Sequence, residues 1–204
     1  MSTKQKQRSA LVMSAIVLMC VTTFSQTNKK PSDYFNVPGP IMFEQNSYHL
    51  NWSSHPSATY YKQEYIPKGE TTEAFKTMLM LEVLTSGADA KTAVANKLAE
   101  LKQMKAANPL VQFSEINNPN SGEYMIEFVL TANAADGTVT IAERNVYRYK
   151  SYAGKSGKKG VVLFAVSSRA YGKEVPAFFS SLKTSQNSLV KKVMSFKFPE
   201  ITIR

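Results

Sequence analysis

A carboxylate, an amide and two phenols alternate along one stretch of the chain: Glu143, Asn145, Tyr147 and Tyr149. A strand sends alternate residues to one face, so this spacing sets the four side chains in a row. Tyr60, Tyr61 and Tyr65 stand on an earlier strand-like stretch, and Tyr152 follows the row. A phenol joins an apolar ring to a polar tip, a combination suited to ligand or glycan recognition. Glu143, Asn145, Tyr147, Tyr149, Tyr61 and Tyr65 are therefore the candidate ligand-binding residues. The plainer use of such tyrosines is packing under a helix or along a sheet rim. Glu127 and Glu143 fall on neighbouring predicted strands and supply two carboxylates of the kind a glycosidase needs at a defined gap. Cross-strand ion pairs are the plainer use of both.

Other chemistries find fewer parts. His49 and His55 flank Trp52, but their spacing of six matches no helical zinc pair, and no acidic or cysteine cluster completes a shell. No metal and no cofactor is expected. No serine lies in Gly-x-Ser-x-Gly. Cys20 is the sole cysteine and lies in the segment read below as a leader, which removes thiol catalysis from the rest. Gly154-Lys155-Ser156 ends like a phosphate-binding loop, yet Tyr149 occupies the place of its first glycine and the segment joins two strands rather than opening a helix. Lys150, Lys155, Lys158 and Lys159 instead make a basic hairpin tip, suited either to contact with an anionic surface or to a solvated turn that protects strand edges.

These residues need a scaffold, and its first 25 residues are set apart from the rest. They combine Lys4, Lys6 and Arg8 with an apolar run from Ala10 to Val21 and small residues before Gln26. This is the pattern of a cleaved secretory signal, which directs the rest of the chain to the periplasm or the extracellular space. The apolar run is shorter than the ~20 residues that span a bilayer. With the leader set aside, 22 Lys and Arg face 15 Asp and Glu, leaving +7 of the full chain's +10. That balance favours acidic partners mildly and does not by itself indicate nucleic acid.

Residues 26–45 read as a polar leader segment that carries Tyr34, Phe35, Val37, Ile41, Met42 and Phe43, and residues 46–204 read as one α+β domain. Short strands are expected over Ser47–Trp52 and Thr59–Ile66, a helical turn over Thr71–Lys76, and a buried strand or a longer helix over Met78–Leu84. Ala90, Val94, Leu98 and Leu101 recur at helical spacing after Asp89, a plausible N-cap, so a helix is expected over Asp89–Ala107. Leu110–Ile116, Glu123–Thr131, Thr138–Lys150 and Val161–Arg169 read as strands, with Val161–Val166 apolar on both faces as in a central strand. A second helix runs over Glu174–Ser195, entered through Pro176. In Thr138–Lys150 the apolar row is interrupted at Glu143 and Asn145, so either a bulge shifts the parity or two polar groups sit among apolar ones.

Tyr60–Gly69, the Asp89–Ala107 helix, the Glu123–Arg169 meander and the Glu174–Ser195 helix together resemble the PsbP/Mog1-type fold. The resemblance implies an α/β/α sandwich, an antiparallel sheet flanked by the internal and C-terminal helices. It also implies an accessory or binding role without a shared catalytic centre. The resulting expectation is an exported, non-enzymatic binding or accessory domain whose partner is a protein or small ligand. A carboxylate-dependent hydrolase and an electrostatic binder of anionic polymer or membrane are the alternatives.

Overall fold

The computed structural model describes residues 30–118, 122–155 and 157–203. The predicted signal segment lies outside the described residues. Eight strands make one antiparallel sheet: β1 (Ile41–Phe43), β2 (Asn46–Ser57), β3 (Tyr60–Ile66), β4 (Thr77–Leu84), β5 (Gln112–Asn118), β6 (Glu123–Asn133), β7 (Val139–Ala153) and β8 (Lys159–Tyr171). Their spatial order is β1-β2-β3-β4-β8-β7-β6-β5, and the sheet curls into a half-barrel. Helix α1 (Ala90–Ala107) connects β4 to β5, and α2 (Val175–Ser195) follows β8 through a short turn of 3-10 helix.

This curled, strand-dominated sheet replaces the helix-flanked α/β/α sandwich expected from the order of elements. Helix α1 packs mainly on β6, β7 and β8, and α2 on β7 and β8, so neither forms a layer over β1, β2 and β3. The physical reason lies in the N-terminal half. β2 extends to 12 residues and β1 is drawn from the polar leader, giving the sheet more width than two helices can cover. Irregular terminal segments close the α2 side instead, with Phe35, Val37, Phe196, Phe198, Ile201 and Ile203 packed against the core.

β8 sits at the centre of the sheet, as its unbroken apolar run predicts. Val162, Phe164 and Val166 face α2, while Val161, Leu163 and Ala165 face α1. Each large side chain so buried contributes about 1.5–3 kcal/mol. Gly160 lets β8 approach β4 at its start, since a β-carbon there would overlap the Leu84 carbonyl.

Asp89 caps α1, its carboxylate accepting from the Thr92 amide at 2.6 Å, and Ala90, Val94 and Leu101 form the buried stripe. Met78–Leu84 lies within β4 and is no part of a helix. Thr71–Lys76 forms no helical turn. The Thr71 and Ala74 backbones bond reciprocally and the Thr71 hydroxyl accepts from the Ala74 amide, a local closure that competes with helix. The β2–β3 hairpin turns at Ala58-Thr59, beyond Pro56, because a register shift between Ser54 and Ser57 carries the proline within the strand.

Candidate functional site

β7 keeps continuous register with both neighbours from Ile141 to Tyr149, so no bulge interrupts it at Glu143 or Asn145. Polar residues sit there because β8 supplies complements in register. Glu143 lies opposite Arg169 and Asn145 opposite Ser167. Arg169 Nη2 is 2.5 Å from Glu143 Oε2, Asn145 Nδ2 donates to Glu143 Oε1 at 3.0 Å, and the Ser167 hydroxyl donates to Asn145 Oδ1 at 2.6 Å. Arg169 stacks over the Phe75 ring at 4.1 Å. Glu143 and Asn145 are thus members of a closed polar ladder. Glu127 points to the opposite face, where it holds Arg144 at 2.6 Å, so the two carboxylates considered for hydrolysis do not meet.

The tyrosines divide by strand parity. Tyr147 and Tyr149 share the α1 side with Glu143 and Asn145. Tyr61 and Tyr65 lie on the α2 side in the buried core. The Tyr65 hydroxyl donates to the Val37 carbonyl at 2.7 Å and accepts from Gln63 Nε2 at 2.6 Å. Gln63 Oε1 in turn accepts from the Tyr34 and Phe35 amides. These groups pin the N-terminal segment to β3. Tyr61 stacks on His55 at 4.0 Å, and Tyr152 is buried in the same core. Of the earlier tyrosines it is Tyr60 that joins the α1 side. Alternation in Tyr60–Ile66 separates it from Tyr61 and Tyr65, a signal present in the sequence.

Sequence reasoning missed the partners that gather around Tyr60 and Tyr147. Register sets Lys62 opposite Glu82 across β3 and β4, and Glu64 opposite Trp52 across β3 and β2. Lys62 Nζ is 2.8 Å from Glu64 and 3.8 Å from Glu82, and lies 5.7 Å above the Trp52 ring. From the helix, Lys97 reaches over Phe128 and Tyr147 at 5.0 and 5.7 Å and pairs with Glu100 at 3.0 Å. Helix α1 stops short of β2 and β3, and the uncovered strip carries Trp52, Tyr60, Lys62, Glu64 and Glu82. The Glu82 side chain is 20% exposed and Trp52 is 37% exposed.

Burial disturbs the titration of this strip. It raises the Glu82 carboxyl above its ordinary range against the opposing pull of Lys62 and a hydrogen bond with Tyr60. Burial, reinforced by Glu82, also raises the Tyr60, Tyr147 and Tyr149 phenols. For Lys62, burial disfavours the ammonium, but Glu64 and Glu82 outweigh it and the net shift is upward. The strip therefore offers neutral phenols as donors, an ammonium held between two carboxylates, and one half-exposed indole. Its one ammonium is already held by two carboxylates, which leaves no free cation for an anion and suits a neutral, hydroxyl-rich molecule better.

The basic tip is partly engaged. Lys155 pairs with Glu200 at 2.7 Å and Lys150 lies 5.6 Å over the Phe198 ring, while Lys158 and Lys159 are exposed. Among the described residues no group of three His, Cys, Asp or Glu side chains is placed to hold a metal. Among them, too, no helix is long and apolar enough to cross a membrane.

A protein-family model matches residues 35–198, which take in the whole sheet and both helices, and the chain belongs to that family. The family's description carries no activity. No curated protein and no solved structure matches the chain.

Proposed function

We propose that this family member is an exported, non-enzymatic binding domain whose ligand is neutral and rich in hydroxyl groups. The ligand lies on the α1 side of the sheet, along the strip left open beside the helix. The observation that carries this reading is the convergence of Trp52, Tyr60, Lys62 and Glu82 from three strands onto that strip, with Tyr147 bordering it beneath Lys97 of α1. Trp52 supplies a platform for an apolar sugar face, and the phenols and charged pair supply donors and acceptors around it. A binding role fits better than catalysis because the carboxylates of this face are engaged: Glu64 and Glu82 by Lys62, Glu143 by Arg169.

The test is calorimetric titration of the protein with a panel of soluble neutral oligosaccharides, repeated with Trp52→Ala and Lys62→Met. Saturable binding to a panel member, weakened about tenfold or more by either change and little altered by salt, supports the reading. Each variant's thermal melt shows whether it has folded. Binding that persists unchanged in both folded variants, or steady hydrolysis of the bound oligosaccharide, contradicts it.

A further inference from the structure

The two edges of the sheet are unlike. At one, β1 is only three residues long. At the other, β5 has seven residues, pairs on one side with β6, and keeps unbroken register from Gln112↔Val129 to Asn118↔Glu123. Edge strands are ordinarily protected by shortness, a bulge, a proline or charged side chains. β5, with the sequence QFSEINN, has no bulge and no proline; its one charge is Glu115, and Lys105 of α1 reaches only its start, donating to Gln112 at 3.0 Å and lying 5.6 Å over Phe113. Among the described residues no strand lies beside its outer row of backbone N–H and C=O groups. Glu115 is exposed on this strand and has no ion-pair partner among the described residues.

A groove of about 410 Å³ adjoins the same edge. It opens on the α2 side, where α2 lies over β7 and β8 and leaves β5 and β6 uncovered. Leu110, Val129, Phe179 and Leu182 give it apolar walls, and Ser114 contributes a hydroxyl from β5 itself. Glu127 also lines it, but its charge is met by Arg144. Leu110 is 44% exposed at the rim.

We propose that the β5 edge and this groove form one docking site, on which an extended segment of a partner protein adds as a further antiparallel strand. Main-chain pairing satisfies the open edge. Because strand side chains alternate, residues on either side of the segment's centre project an apolar group into the groove, and the central residue, a lysine or arginine, projects to the α1 side toward Glu115. An apolar small molecule would fill the groove and leave the edge unpaired. A second copy of this chain fits less well. Pairing β5 with itself about Glu115 sets the two carboxylates opposite each other, and pairing about Ser114 sets Phe113 against Glu115.

The experiment uses short synthetic peptides with lysine at the centre flanked by leucine, valine or phenylalanine, added to the full protein and followed by amide hydrogen exchange and affinity. Protection confined to β5 and its neighbours, lost when alternate peptide amides are N-methylated and weakened about fivefold or more by Glu115→Lys, is the expected result. Leu182→Asp, remote from the edge backbone, weakens the same binding by closing the groove to apolar groups. No protection of β5 at millimolar peptide, binding indifferent to N-methylation, or β5 protection that grows with protein concentration alone would overturn the proposal.

Discussion

Lys62 and Glu82 stand opposite each other in the β3–β4 ladder, with the ammonium 3.8 Å from the carboxylate and only 2.8 Å from Glu64 on its own strand. The lysine therefore sits between two acids and favours the nearer. Glu82, the more weakly held of the two, lies toward the sheet centre, where burial opposes its ionisation more than Lys62 supports it.

That imbalance predicts a pH dependence. The Glu82 carboxyl is raised above its ordinary 4.5 in the folded protein. Between the ordinary and the raised value the folded state binds more protons than the unfolded chain, so this residue lowers stability as pH rises through that window. Glu73, Asp89 and Glu174 are shifted the other way and contribute the opposite slope, but they are common to the parent and to Glu82→Gln. Urea unfolding of both proteins from pH 4.5 to neutrality should give a stability difference, parent minus variant, that falls with pH. A difference that rises contradicts the assignment.

Gly160→Ala should destabilise by about 2–3 kcal/mol or more, because the added methyl meets the Leu84 carbonyl and the β4–β8 ladder must separate to admit it. Thermal unfolding measures this. Alanine at Gly137, where nothing lies close but the backbone angle is positive, should cost less, about 1 kcal/mol.

Arg148 joins β7 to the end of α2. Its Nη1 donates to the Val193 and Phe196 carbonyls at 3.0 and 2.7 Å, its Nε and Nη2 hold Glu123, and its plane lies 4.8 Å from the Phe198 ring. Arg148→Met keeps the stem and removes every donor, and should cost about 3 kcal/mol. Hydrogen exchange should locate the loss in the last turn of α2 before the rest of the helix.

Gln63 is fully buried and ties two strands of chain together through its amide. Gln63→Leu removes the acceptor of the Tyr34 amide and leaves the Phe35 amide only Asp33, and should cost about 2 kcal/mol. Limited proteolysis should then cleave within residues 33–43 sooner than in the parent, with β8 still protected.

Much of the scaffold is legible in the sequence because local signals agree with it. Asp89 and the Ala90–Leu101 stripe specify α1, and the apolar run of β8 specifies its place at the centre of the sheet. The curled half-barrel was not legible and a sandwich was expected in its place, since the long β2 and the added β1 arise from tertiary pairing that overrides Pro56 and the polar leader. The α1-side row of β7 was legible as a row, but parity alone had to separate Tyr60 from Tyr61 and Tyr65. Lys62 and Glu82 left no signal, because only the β3–β4 register places them together. The break in alternation at Glu143 and Asn145 has a similar origin, its complements Ser167 and Arg169 lying on another strand.

Trp52 is the chain's single tryptophan and borders the proposed ligand strip, with the Lys62 ammonium above its ring. Its fluorescence during titration with the neutral oligosaccharide panel therefore reports directly on whether the ligand occupies the strip. A saturable change in Trp52 emission for a panel member, largely lost in Glu82→Gln and insensitive to added salt, is the predicted result. Calorimetric binding of the same oligosaccharide that leaves Trp52 emission unchanged would place the ligand elsewhere and contradict the account.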